Sequence, residues 1–234
     1  MKLFVQGNKC LSSISSSLSL MSQFVPTMNG EEIVSLLDAQ YPRIKTPLGH
    51  KGAFQLLIAT ILSAQCTDAR VNKVTPVLFN RFPDAKSMAK AGTRELEGII
   101  RSMGFYHVKA KRLKEVSRKI LKDFDCNVPV TMHELTSLPG VGRKTANIVL
   151  SAGFNKIEGI AVDTHVKRLS KRIGLSRETT PEKIEQDLMR ITPKELWPRL
   201  SLLLILHGRK ICNAKKPLCE KCTLSSKCLY YNQK

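Results

Sequence analysis

The chain has 234 residues, with 38 lysines and arginines against 19 aspartates and glutamates, a formal charge of +19 and an isoelectric point near 9.9. That length can bury a substantial core, as one large domain or two small ones. So one-sided a charge calls for a polyanionic partner, and nucleic acid fits better than a membrane because no apolar run reaches the ~18 residues needed to span a bilayer.

Residues 1–27 stand apart. Positions 12–22 are rich in serine and leucine, Lys2 and Lys9 are the only charges, and no acid precedes Glu31. Serine interrupts every candidate core of a secretory signal. The composition fits a disordered tail, an organelle transit peptide without the usual arginines, or a start placed upstream of Met21 or Met28. The segment is left out of the fold, and the expected compartment is the cytoplasm, with the protein on the nucleoid.

From Glu31 onward, helical periodicity follows helical periodicity, with no sustained period-two alternation, so the chain is expected to be all-α. Ile33, Val34, Leu36 and Leu37 mark an amphipathic helix that Pro42 ends. After a loop through Pro47 and Gly49, residues 54–64 are apolar nearly all round, as a central buried helix would be. Thr67 or Asp68 can cap the next helix, which Pro76 should kink or break. Leu96, Ile99, Ile100 and Met103 share one helical face that Gly104 closes. Val108, Leu113, Val116 and Ile120 form another stripe, opposite Lys109, Lys111, Arg112, Arg118 and Lys119, a face that either tracks phosphates or is merely solvated.

The sequence ELTSLPGVGRKTANIVLSAGF, from Glu134, is the most informative stretch. Thr131 and Glu134 have the spacing of a capping box for a first short helix. Gly140 and Gly142 permit backbone angles closed to other residues, so successive N–H groups around Val141 can turn toward an anion. A second helix opening with Arg143 and Lys144 adds its positive end. Thr145, Ile148, Val149 and Ala152 should form its buried face, and Gly153 its stop. The plain alternative is an ordinary helical turn with glycines. Nineteen residues past Lys144, Asp163 precedes Val166, Leu169 and Ile173 at helical spacing, an N-cap position whose role could end there. Thr180-Pro181 and Thr192-Pro193 should start two more helices, the second with Glu195 in a capping box.

Cys212, Cys219, Cys222 and Cys228 form C-x6-C-x2-C-x5-C. Without a visible secretory signal a disulfide framework is disfavoured, which leaves zinc or an iron–sulfur cluster. Four-cysteine zinc sites usually bring two close pairs, whereas this pattern has one, and that favours the cluster. His165 and His207 read as structural residues, since the thiolates already make four.

Five motifs in order, LLIATILSAQCTDARVNK, LPGVGRKTANIVL, AVDTHV, LLLILHGRKIC and the four cysteines, resemble the endonuclease III family of helix–hairpin–helix DNA glycosylases over about residues 30–230. The resemblance implies a six-helix barrel-like domain (46–156, with the hairpin at about 131–153) and an iron–sulfur domain (28–45 with 157–234), DNA lying in the cleft between them. It further implies Lys144 as nucleophile, Asp163 as its essential partner, and a [4Fe-4S] cluster on Cys212, Cys219, Cys222 and Cys228. The hairpin residues Gly140, Val141, Gly142 and Arg143 would grip phosphate. Gln65 would fill the gap left by a flipped base, aided by Phe105, where bacterial members carry leucine; this departure leaves the wedge and the opposite-base preference open. Lys215 and Lys216, on a basic loop beside the first cysteine, would meet the DNA backbone. The implied activity is bifunctional: a monomer acting on double-stranded DNA with oxidised pyrimidines or abasic sites. Two alternatives are a monofunctional mismatch glycosylase acting on T or U, whose known relatives place tyrosine where Lys144 stands, and a non-catalytic module with structural zinc. An amine attacking C1′ must be neutral, and free lysine is so in only about one part in 10³ at pH 7. Asp163 could take the proton or stabilise positive charge on the sugar.

Overall fold

The computed structural model describes residues 26–42, 44 and 46–233, and every regular element among them is helical. The helices are α1 (Gly30–Gln40), α2 (Ala53–Leu62), α3 (Asp68–Arg81), α4 (Ala85–Lys90), α5 (Thr93–Ile100), α6 (Tyr106–Asp123), α7 (Met132–Ser137), α8 (Arg143–Phe154), α9 (Thr164–Ile173), α10 (Pro181–Arg190), α11 (Trp197–Lys210) and α12 (Leu229–Asn232). The all-α expectation holds. Most of the 1–27 tail lies outside the described residues, but Thr27 is part of the fold: its N–H and hydroxyl donate to Gly174 O at 3.2 Å and Ile173 O at 2.7 Å.

Buried apolar residues sort into two clusters. The first spans α2 to α8 around Leu56, Leu57, Ile58 and Leu62 of α2, which packs on α8, while α4 packs on α6. The second joins Ile33 and Leu37 of α1 to Val166 and Leu169 of α9, Leu188 of α10, Leu203 and Leu204 of α11, and Leu224 and Cys228 beyond. Each such fully buried aliphatic side chain stabilises the fold by about 1.5–3 kcal/mol before entropy is counted. Helix α1, first in the chain, therefore belongs with the last helices in space.

Several local expectations need correction. Helix α3 runs through Pro76 unbroken, because Val74, Thr75, Leu78 and Phe79 are buried and their packing offsets the one missing backbone bond. Helix α4 has too few apolar residues to reveal itself by period, yet Asp84 and Ser87 form a reciprocal capping box at its start. Helix α5 ends at Ile100, and a turn carries Met103 into the core. On α6, Leu113, Val116 and Ile120 are buried as expected, but at the start of the stripe Val108 is exposed and Lys109, only 6% exposed, is buried with Ala110. The Lys109 Nζ has no hydrogen-bond partner among the described residues, and burial holds its pKa below the ordinary lysine value. Gly153 lies inside α8, where a Cβ would sit 3.3 Å from that of Ala53; left-handed Asn155 ends the helix instead. Thr192 does not cap the next helix: its hydroxyl is buried without a partner among the described residues, and α11 starts at Trp197 after a short 3-10 turn.

Candidate active site

Helices α7 and α8 are joined by Leu138–Gly142, and the chain can turn there because Gly140 takes φ +74. A Cβ on Gly140 would meet the Arg112 side chain at 2.2 Å, so the guanidinium of α6 lies across the turn. Thr131 caps α7 by accepting from Glu134 N at 3.3 Å, but its hydroxyl donates to the Glu134 carboxylate, so the reciprocal half of the expected box is replaced. The Val141 N–H is likewise not open to an anion: it donates to Leu138 O at 3.1 Å, and the Val141 side chain is in the core. No side chain caps the start of α8, so its first-turn N–H groups, with that of Gly142, form the anion-seeking end.

Arg143 is held away from that end. Its Nε and Nη2 donate to Glu185 of α10 at 2.9 and 3.2 Å, and the buried carboxylate also accepts from Asn147 Nδ2 at 2.8 Å and Ile160 N at 3.2 Å. Donating to the Glu185 carboxylate raises the Arg143 pKa. Glu185 therefore pins the start of α8 to the second cluster, a role invisible in sequence, where it is one acid among several on an amphipathic helix.

Lys144 Nζ lies 3.7 Å from Asp163 Oδ2, with side chains 45% and 12% exposed. Asp163 has two jobs: Oδ1 caps α9 by accepting from His165 N at 2.8 Å and Val166 N at 2.9 Å, which leaves Oδ2 for Lys144. The separation is an ion pair rather than a hydrogen bond. Both residues line a cleft of about 870 Å³, part of it open solvent, between the two clusters. Its walls are Leu48, Ser63, Cys66 and Asp68 on one side and Ser201, Leu202, Ile205 and Arg209 of α11 on the other. The face of α8 turned to it is Lys144, Ile148, Ser151 and Ala152, so Ile148 and Ala152 belong to the cleft, while the helix's buried positions are Ala146, Asn147, Val149 and Leu150. Gln65 and Phe105 are both exposed, Phe105 by 65%, and both are left-handed, with φ of +52 and +57. Such angles cost a non-glycine residue about 1–3 kcal/mol. Phe105 is thus not a core residue, and Gln65 stands beyond the end of α2 on a turn of its own.

The four cysteines line one pocket with His207, Leu224 and Tyr230. Arg168 and Arg172, one turn apart on α9, tie down the loop that starts at Cys212: Arg168 donates to Gly208 O at 2.8 Å and Cys212 O at 3.0 Å, and Arg172 to Asn213 O and Ala214 O, each at 2.7 Å. Their spacing in HVKRLSKRIG was the available signal, hidden among other basic residues. Lys215 and Lys216 follow on this loop and are exposed. Burial, and after it the neighbouring cysteines, push the Cys222 thiol up to about 11, and the same causes raise Cys228. Cys222 and Cys228, which resist ionising alone, are soft donors suited to a cationic group that stabilises their thiolates. Among the described residues, no three His, Cys, Asp or Glu side chains converge tightly enough for a single metal ion.

Comparison with known proteins adds three findings. The profile of the HhH-GPD superfamily base excision DNA repair proteins matches residues 58–194. An endonuclease III of Synechocystis sp. is 51% identical, over 84% of this chain and 90% of its own length. Among solved structures, a trapped endonuclease III–DNA covalent intermediate superposes with a TM-score of 0.82 at 40% identity, covering 87% of this chain and 95% of that one, and a thermostable thymine-DNA glycosylase with 0.78 at 25%, covering 88% and 95%.

Proposed function

The chain belongs to the endonuclease III family of HhH-GPD base excision DNA repair proteins, and from that premise we propose how its own residues carry out the reaction of a DNA glycosylase and abasic-site lyase on damaged double-stranded DNA. The two apolar clusters are read as two domains, residues 46–156 and residues 28–45 with 157–234, with duplex DNA across the cleft. The open N-terminus of α8 takes a backbone phosphate. Arg143, already engaged by Glu185, orients that helix and offers only its exposed edge to DNA. A damaged pyrimidine leaves the stack for the cleft, at least cost where the lesion has weakened stacking. Phe105 and Gln65, exposed on strained turns, fill the space it vacates.

Lys144 Nζ then attacks C1′ of the deoxyribose, the base leaves, and the amine forms a Schiff base with the opened sugar. Asp163 Oδ2 accepts the ammonium proton and faces the positive charge that develops on the sugar. β-Elimination cuts the strand 3′ to the lesion. The observation that supports this assignment above all is the division of labour in Asp163, one oxygen on the helix cap and the other 3.7 Å from Lys144. A [4Fe-4S] cluster on Cys212, Cys219, Cys222 and Cys228 would, when bound, organise the loop carrying Lys215 and Lys216. Four thiols lining one pocket are soft donors of the kind that such a group takes.

The test separates cap from chemistry. Asn caps as well as Asp, so Asp163→Asn should keep the melting temperature and lower strand cleavage at a preformed abasic site by about 10²–10⁴-fold. Lys144→Gln should remove cleavage altogether while retaining duplex binding. Full lyase activity in either variant would contradict the assignment.

A further inference from the structure

His207 is a polar residue on the largely apolar inner face of α11, and it is only 1% exposed. Both ring nitrogens have partners from distant parts of the chain. Nδ1 lies 3.2 Å from the hydroxyl of Tyr41, just past α1, and Nε2 lies 3.1 Å from Cys222 Sγ. The Tyr41 ring meets the imidazole edge to face, with centroids 6.1 Å apart. Two proton arrangements satisfy this line. Either the tyrosine donates to Nδ1 and Nε2–H donates to sulfur, or a thiol S–H donates to Nε2 and Nδ1–H to the tyrosine oxygen. A thiolate that binds iron has no proton to give, so only the first arrangement survives when the cysteines are ligands.

We propose that His207, fixed in one tautomer by Tyr41, is a positioning residue that donates its Nε2–H to the Cys222 thiolate and thereby raises the reduction potential of the cluster. The inference rests on the cluster reading given above. A hydrogen bond to a ligating sulfur draws charge from it and favours the more electron-rich state of the iron group. The donor is buried, so water does not compete for it, and a second sulfur, Cys212, receives a longer contact of 3.4 Å from Arg172.

The full-length protein is purified, its iron and sulfide are measured, and its one-electron midpoint potential is read at an electrode that supplies the electron. His207→Leu, which removes the donor, should shift the potential downward at unchanged iron content. Tyr41→Phe, which removes only the hydroxyl that fixes the tautomer, should shift it the same way by less. His207→Gln, which can still donate, should recover part of the loss. Should His207→Leu fail to fold or to hold iron, Tyr41→Phe decides: an unchanged potential there overturns the proposal, as does a wild-type potential in fully loaded His207→Leu. Wild-type protein without iron and sulfide would instead overturn the cluster reading, and the proposal with it.

Discussion

Asp163 and His207 illustrate how one residue serves two parts of the fold. Asp163 was legible because a cap is a local pattern and because its distance from Lys144 belongs to a motif. The line Tyr41–His207–Cys222 was not, since its members are 166 and 15 residues apart and meet only through packing of α1 on α11. Burial also pushes the His207 pKa down to about 4, and His165 is lowered chiefly by burial as well. Both imidazoles are therefore neutral in the native state near pH 7, while in the unfolded chain they take a proton near 6.5. Between those values the unfolded state binds more protons, so stability is fully present above pH ~6.5 and falls as the pH drops toward 4, by roughly 3 kcal/mol for His207 alone. Melting temperatures at about pH 7.5 and 5 should differ more for wild type than for His207→Gln. An equal drop in the two proteins would contradict that origin.

The hairpin α7–α8 shows what a helical element contributes beyond its side chains. Its glycine turn and cationic opening were readable because glycine and lysine at fixed offsets constrain backbone and charge directly. Which N–H groups remain open was not readable, because the tie from Val141 to Leu138 O depends on the turn closing on itself. Gly140 is the position on which this geometry depends. At φ +74 any L side chain is strained, and an added methyl group would press on Arg112 at 2.2 Å. Gly140→Ala should lower stability by about 1–3 kcal/mol, seen as an earlier chemical-denaturation midpoint, and should weaken DNA binding more than Gly142→Ala, whose site is open and extended. Equal effects at the two glycines would argue that the turn is not the phosphate site. Elements were hardest to place where tertiary packing overrode local preference. Pro76 sits inside α3, Lys109 faces the core of the first cluster, and Asn155 rather than Gly153 ends α8.

At the scale of the molecule, two apolar clusters enclose a cleft, and the chain carries a formal charge of +19. The all-helical class and the polyanionic partner followed from periodicity and composition alone. The return of α1 to pack with the last helices was expected from the family resemblance and not from periodicity, because amphipathic faces do not name their partners. DNA affinity should fall steeply with salt, and replacing Lys215 or Lys216 by Ala should each reduce the slope of log K against log salt by about 1, equally for damaged and intact duplexes. Fluorescence anisotropy across a salt series reads that slope, and an unchanged value would place the cysteine loop away from the DNA. The central claim, that both halves of the reaction pass through one amine at the cleft, is tested most directly by borohydride trapping on a duplex carrying a single thymine glycol, with the linked peptide identified by mass spectrometry. The expected result is a covalent adduct on Lys144 that is absent in Lys144→Ala. An adduct that survives in Lys144→Ala, or none from the cluster-loaded wild type on either thymine glycol or an abasic site, would contradict it.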